Sequence, residues 1–140
     1  MSIQIITDKG EMGLELYPKE APGSVANFLK LTRDSFYNGK IFHRVVPNFV
    51  VQVGCPRGDG YGGLDYTIRT EISDLNYLKS GMMGMASAGP DTEGTQFFIT
   101  HSPSPHLDGK YTIFGRLVEG MDVLLSIQQG DKIKEIKIKE

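Results

Sequence analysis

The sequence predicts a mainly β fold closed into a barrel. Many short β-rich runs are separated by turn residues, and two stretches carry a helical period. A sandwich would satisfy the same pattern, but closure is preferred because it removes the sheet edges that invite aggregation. The chain of 140 residues implies one domain spanning 1–140, long enough to bury roughly two-thirds of its unfolded surface in one core.

Along the chain, Ile3 and Ile5 alternate with polar neighbours, as do Met12, Leu14 and Leu16, with Asp8-Lys9-Gly10 between them. That pattern predicts a hairpin with a short glycine turn. A helix is expected to begin near Pro22, where proline suits the first helical position. It places Val25, Phe28, Leu29, Thr32 and Phe36 on one face and stops at Asn38-Gly39. Strands are expected over Ile41–Val46, Phe49–Val53, Tyr66–Glu71, Gln96–His101 and Thr112–Val118. A shorter helix follows Gly120, with Met121, Leu124 and Leu125 on one side and Val123 and Ile127 on another, so it should be substantially buried. Ile136 and Ile138, set between Lys and Glu, read as a charged final strand. No repeat, low-complexity segment or domain boundary interrupts this order.

Composition removes several classes of function. Fifteen basic against seventeen acidic side chains leave a net charge of −2, without the basic footprint that nucleic acid needs. No apolar run reaches the ~20 residues of a membrane span. A single Cys excludes an internal disulfide framework and fits a reducing compartment. Met1 to Asp8 carries neither a basic head nor a long apolar stretch, so no signal peptide is expected and the location reads as cytoplasmic. No apolar stripe is left over for a partner subunit, which makes the monomer the expected state.

Several motifs fail on inspection. Gly58 to Gly63 satisfies G-x-G-x-x-G, but Cys55-Pro56 precedes it and Leu64 to Ile68 follows with strand character. A dinucleotide loop must leave a strand and open a helix, so a tight glycine-rich loop is the better account. Gly109-Lys110 lacks the flanking residues of a phosphate loop, and Met85 stands where a nucleophile elbow around Ser87 needs glycine. His43, His101, His106 and Cys55 match no zinc spacing. No acid pair stands apart as an acid–base couple. Neither metal nor cofactor is expected.

Three segments remain: Phe42 to Gly54, beginning Phe-His-Arg-Val-Val-Pro-Asn-Phe; Gly84 to Ile99, containing Ala-Gly-Pro-Asp-Thr-Glu-Gly-Thr-Gln-Phe-Phe-Ile; and Leu107 to Arg116. Read alone, Arg44 is a surface cation and Phe49, Phe98 and Leu107 are core residues. Together, in this order, the segments resemble the cyclophilin family of peptidyl-prolyl cis–trans isomerases, in its small, single-domain, prokaryotic-like form. The resemblance covers nearly the whole chain. It implies an eight-stranded antiparallel barrel capped by two helices, with an apolar pocket on its outer face. It also implies rotation of X-Pro peptide bonds in proline-containing peptides and in unfolded or partly folded proteins.

By that resemblance Arg44 donates to the prolyl nitrogen of the twisted amide, Gln52 steadies the arginine and binds substrate, and Phe49, Val50, Phe98 and Leu107 hold the proline ring. Ala86, Ser87, Ala88 and Gln96 line the adjoining groove, and Gly60 lines a neighbouring subsite. Three residues depart from the family pattern: Val50 replaces a frequent Met, Tyr111 a common His, and His106 the Trp that contacts cyclosporin. Cyclosporin is therefore expected to bind, but weakly. The alternative function is a binding module that captures proline peptides without useful turnover; a zinc-dependent protein is a third, unsupported class.

Overall fold

Alternation of apolar and polar residues turns into a sheet with two different faces. In the computed structural model, which describes residues 1–61 and 63–139, eight strands run in chain order with two α-helices among them. They are β1 (Ser2–Thr7), β2 (Gly10–Leu16), β3 (Arg44–Val46), β4 (Val50–Val53), β5 (Met82–Met85), β6 (Phe97–Thr100), β7 (Ile113–Glu119) and β8 (Ile133–Lys139). The helices are α1 (Pro22–Arg33) and α2 (Met121–Ser126), and Pro105–Leu107 forms one 3-10 turn. The strand order is β3-β4-β6-β5-β7-β2-β1-β8, and each ladder in it is antiparallel.

This sheet curls so that its end strands approach. Among the described residues β3 and β8 share no ladder. The segment entering β3 instead bridges to the start of β8 through Ile41 and Lys132. Around that bridge the Gly39 amide donates to Ile133 O at 2.7 Å, the Ile133 amide to Lys40 O at 2.9 Å and the Phe42 amide to Asp131 O at 2.8 Å. The concave face is filled by Ile3, Ile5, Leu14, Val51, Phe97 and Ile99, with α1 laid across it. Phe28 of α1 sits among Tyr37, Phe97 and Phe114, with ring centroids 5.2, 5.5 and 5.4 Å away. The alternate residues of the same strands, among them Val50, Met82, Phe98 and Ile113, form a second apolar cluster on the outer face. A period of two thus gives β4 and β6 a core side and a site side.

Three local expectations are corrected. Tyr66–Glu71 is not a strand; it makes an isolated bridge, Ile68 to Glu93, to the loop between β5 and β6. Its amides pair with side chains instead: Thr70 N–H donates to Asp91 Oδ1 and Glu71 N–H to Thr112 Oγ1. The missing strand is β5, whose Gly- and Met-rich sequence lacks the β-branched signature but lies between β6 and β7. Helix α1 ends at Arg33, not at Asn38-Gly39. Ser35 turns left-handed at φ 59°, the Ser35 amide donates to Thr32 O and the Phe36 amide to Leu31 O. Those two bonds are a Schellman stop. In α2 only Leu124 is buried, and Leu125 is 57% exposed, because a helix of six residues offers the sheet one side.

Candidate active site

The site follows from the register of one hairpin. Pro47 and Asn48 turn the chain between β3 and β4, with Asn48 left-handed at φ 63°. Val46 then pairs with Val50, which sets Arg44 opposite Gln52. The row continues across the outer face: Gln52 opposes Phe98, and Phe98 opposes Gly84. A guanidinium, a primary amide and an aromatic ring therefore lie side by side on one surface of the sheet.

Phe98 forms the floor of a pocket of about 270 Å³. Behind it Tyr77 stacks at 5.8 Å between centroids, and Tyr111 meets it edge-on at 6.0 Å. Val50 and Leu107 close the apolar wall, and Phe49 and His106 flank the rim with their rings 5.3 Å apart. The Arg44 guanidinium carbon lies 5.8 Å above the Phe49 ring, and its Nη1 donates to Gln52 Oε1 at 3.4 Å. That bond is long, and Arg44 is exposed. Most of its five donors are thus free for a ligand.

A second cavity of about 310 Å³ adjoins the first along Gln52, Ala86 and Ser87. Gly60, Ala88 and Gln96 line it. The residues assigned to the groove by resemblance thus line one or other of these two adjoining pockets. Gly62, from the rejected dinucleotide loop, lies outside the described residues. Among the described residues no helix stands between β4 and β5.

Sequence reasoning missed the residues that support the pocket from behind. Tyr77 is fully buried, and its hydroxyl donates to the carbonyls of Tyr111 and Thr112, each at 3.3 Å. His43 packs under Gly60, and burial first, then the neighbouring Arg44 charge, lowers its pKa below the usual 6.5. No local pattern marks Tyr77, and His43 stands in the quoted Phe-His-Arg segment without a role read from it. His101 and His43 do not gather with Cys55 and the acids at a metal-binding cluster among the described residues.

A curved antiparallel sheet here carries an exposed apolar pocket, a guanidinium at its rim and flanking primary amides, so the surface offers hydrogen-bond donors and acceptors beside an apolar floor. Residues 2–140 match the family model described as cyclophilin type peptidyl-prolyl cis-trans isomerase/CLD. Peptidyl-prolyl cis-trans isomerase B of Bacillus subtilis is 46% identical over 135 residues, spanning 96% of this chain and 94% of that protein. The peptidyl-prolyl cis-trans isomerase of Synechococcus elongatus is 48% identical over 134 residues, with 94% and 92% covered. A cyclophilin type peptidyl-prolyl cis-trans isomerase of Cryptosporidium parvum, solved in the presence of the dipeptide Ala-Pro, superposes with a TM-score of 0.95 at 35% identity, covering 100% of this chain and 99% of that one. The chain belongs to the cyclophilin-type peptidyl-prolyl cis–trans isomerases, enzymes that rotate the peptide bond preceding proline.

Proposed function

We propose that this chain isomerises X-Pro bonds in proline-containing peptides and in unfolded or partly folded proteins, with the proline ring in the pocket above Phe98. One observation carries the reading: Arg44 places unpaired guanidinium donors at the rim of an apolar pocket, beside the amide of Gln52. Likeness to a cyclophilin solved in the presence of Ala-Pro supports it.

The chemistry asks for little more. Rotation about X-Pro faces a barrier of roughly 20 kcal/mol set by amide resonance. Twisting localises the lone pair on the prolyl nitrogen, which then accepts a hydrogen bond that the planar amide cannot. Arg44 supplies that donor, so the twisted form is bound better than either planar form. Phe49, Val50, Phe98 and Leu107 exclude water around the bond and strengthen the contact. Gln52 and the Ala86–Ala88 backbone hold the flanking peptide, with Gln96 and Gly60 beyond them. No proton is transferred, so Tyr111 can occupy its place without a titrating base.

Exchange spectroscopy on an Ala-Pro peptide tests the assignment. Arg44→Ala should lower kcat/KM by about 10²–10³, the cost of losing one preorganised donor. A wild-type chain that produces no exchange would instead be a peptide-binding module. Cyclosporin should inhibit weakly, since His106 offers the rim a smaller ring than an indole and lies tilted against Phe49. Inhibition titrating at nanomolar cyclosporin overturns that expectation. The same reading takes the sheet as a barrel whose seam is the Ile41–Lys132 bridge.

A further inference from the structure

Three side chains and one backbone carbonyl form an ordered chain of hydrogen bonds across the site. Gln96 Nε2 donates to Gly60 O at 3.1 Å, Gln52 Nε2 donates to Gln96 Oε1 at 2.9 Å, and Arg44 Nη1 donates to Gln52 Oε1 at 3.4 Å. Its two ends are chemically fixed. A backbone carbonyl can only accept and a guanidinium can only donate, whereas each glutamine amide could present either of its ends. One polarity satisfies both ends. The Gly60 carbonyl requires the NH2 of Gln96, which turns the Gln96 oxygen to Gln52 and leaves the Gln52 oxygen facing Arg44.

We infer that Gln96 is a positioning residue for the isomerisation: anchored on the Gly60 carbonyl, it fixes the Gln52 amide so that Gln52 always presents an acceptor to Arg44. This inference rests on the assignment of Arg44 as the donor to the prolyl nitrogen and goes beyond the groove contact assigned to Gln96. Arg44 cannot hold the amide unaided, because its bond to Gln52 is the longest of the three. A bound peptide also brings carbonyls that compete for the Gln52 NH2. If that competition turned the amide over, its NH2 would face the guanidinium and push it off the prolyl nitrogen. Gln96 occupies one NH2 hydrogen and leaves the other for the peptide, so substrate can bind Gln52 without reversing it.

A double-mutant cycle isolates this effect, because glutamate at position 52 has two equivalent acceptor oxygens and no orientation to lose. In the wild-type background Gln96→Met should lower kcat on an Ala-Pro peptide about tenfold, with KM changing less, as expected for losing control of a hydrogen bond to a charged group. In the Gln52→Glu background the same step should cost less than about threefold. An equal loss in both backgrounds overturns the inference and leaves Gln96 as a groove contact alone. A second reading is independent of turnover. The Gln52 side-chain NH2 signal in a 15N-edited spectrum should move to the position of a free amide in Gln96→Met, and a signal that stays in place overturns the inference equally. Arg44→Ala is measured alongside. Full activity in that variant defeats the assignment of Arg44, whereas its expected loss together with a flat cycle defeats the role of Gln96 alone.

Discussion

The pocket depends most sharply on a residue that contributes no side chain. Gly84 opposes Phe98 across the β5–β6 ladder. A Cβ at that position would stand 2.5 Å from Phe98 Cζ and would also collide with the Tyr77 hydroxyl. Neither neighbour can retreat, since Phe98 is stacked on Tyr77 and Tyr77 is bonded to two backbone carbonyls. Gly84→Ala should therefore drive the Phe98 ring outward into the pocket above it. The expected result is a loss of stability of about 1–3 kcal/mol from overpacking. Alongside it, kcat/KM should drop on the order of tenfold through misplacement of the floor. Denaturant unfolding and peptide exchange measured on the same variant check both. Unchanged turnover would show that Phe98 had found room elsewhere. At this scale Arg44 and Gln52 were marked only by the resemblance of their segment, since read alone Arg44 is a surface cation. The Pro47-Asn48 turn spaces Arg44 and Gln52 symmetrically, and so brings them together. Tyr77 was not legible, because its place under Phe98 is set by a connection with no period to read.

Between residues and the whole sheet, the β4–β5 connection does the work of a missing helix cap. Helix α1 begins with Ala21 at its N-cap position, which offers no side-chain acceptor, and has no acidic residue in its first turn. Glu71 supplies both from a distance. Its carboxylate accepts from the Gly23 amide at 3.0 Å, the Ser24 amide at 2.7 Å and the Ser24 hydroxyl at 2.7 Å. Its own amide donates to Thr112 Oγ1, just before β7. The connection is thus tied at one residue to both α1 and the start of β7. Glu71→Ala should destabilise the protein by about 1–2 kcal/mol, the usual worth of a cap with a charge at the helix N-terminus. Amide exchange at Gly23 and Ser24 should also speed up. Glu71→Gln, which keeps the acceptor and loses the charge, should cost less; equal exchange at Gly23 and Ser24 in all three proteins would refute the capping role. The same residue explains why Tyr66–Glu71 misleads as a strand. It has strand-forming residues, yet its hydrogen bonds are spent on side chains of Asp91 and Thr112. Conversely β5 has weak intrinsic preference and is made a strand by its neighbours, the situation in which β-propensity says least.

Across the molecule, the alternation of apolar residues made the two-faced sheet readable, while the curl that brings Ile41 to Lys132 depends on a pairing 91 residues apart in the chain. The same burial that creates the two apolar clusters sets how stability responds to pH. His43 and His101 both have pKa values below the usual 6.5. Burial is the leading cause for each, with Arg44 adding to it at His43 and Asp59 opposing there, and the Leu124 backbone opposing at His101. The unfolded chain therefore binds more protons than the folded one just below pH 6.5, so stability falls as pH drops through that range. Asp59 and Asp131 act in the same direction further down, below 3.8. Asp59 is lowered first by the Tyr61 amide, and Asp131 by the Gln128 amide and then by Lys9. At the other extreme burial raises the Tyr37 and Tyr77 phenols well above 10.0. Above that value the unfolded chain loses protons that the folded one keeps, and stability falls again. The urea midpoint should accordingly be highest between about pH 7 and pH 10, lower at about pH 5, and lower again above about pH 10.5. His43→Gln with His101→Gln should flatten the step near pH 6 and leave the alkaline one in place. Tyr37→Phe should shrink the alkaline step, leaving the part due to Tyr77, and keep the acid one, although removing its bond to Thr95 O also lowers the plateau. A midpoint at about pH 5 equal to that at about pH 7.5 would mean that neither imidazole is held neutral by the fold.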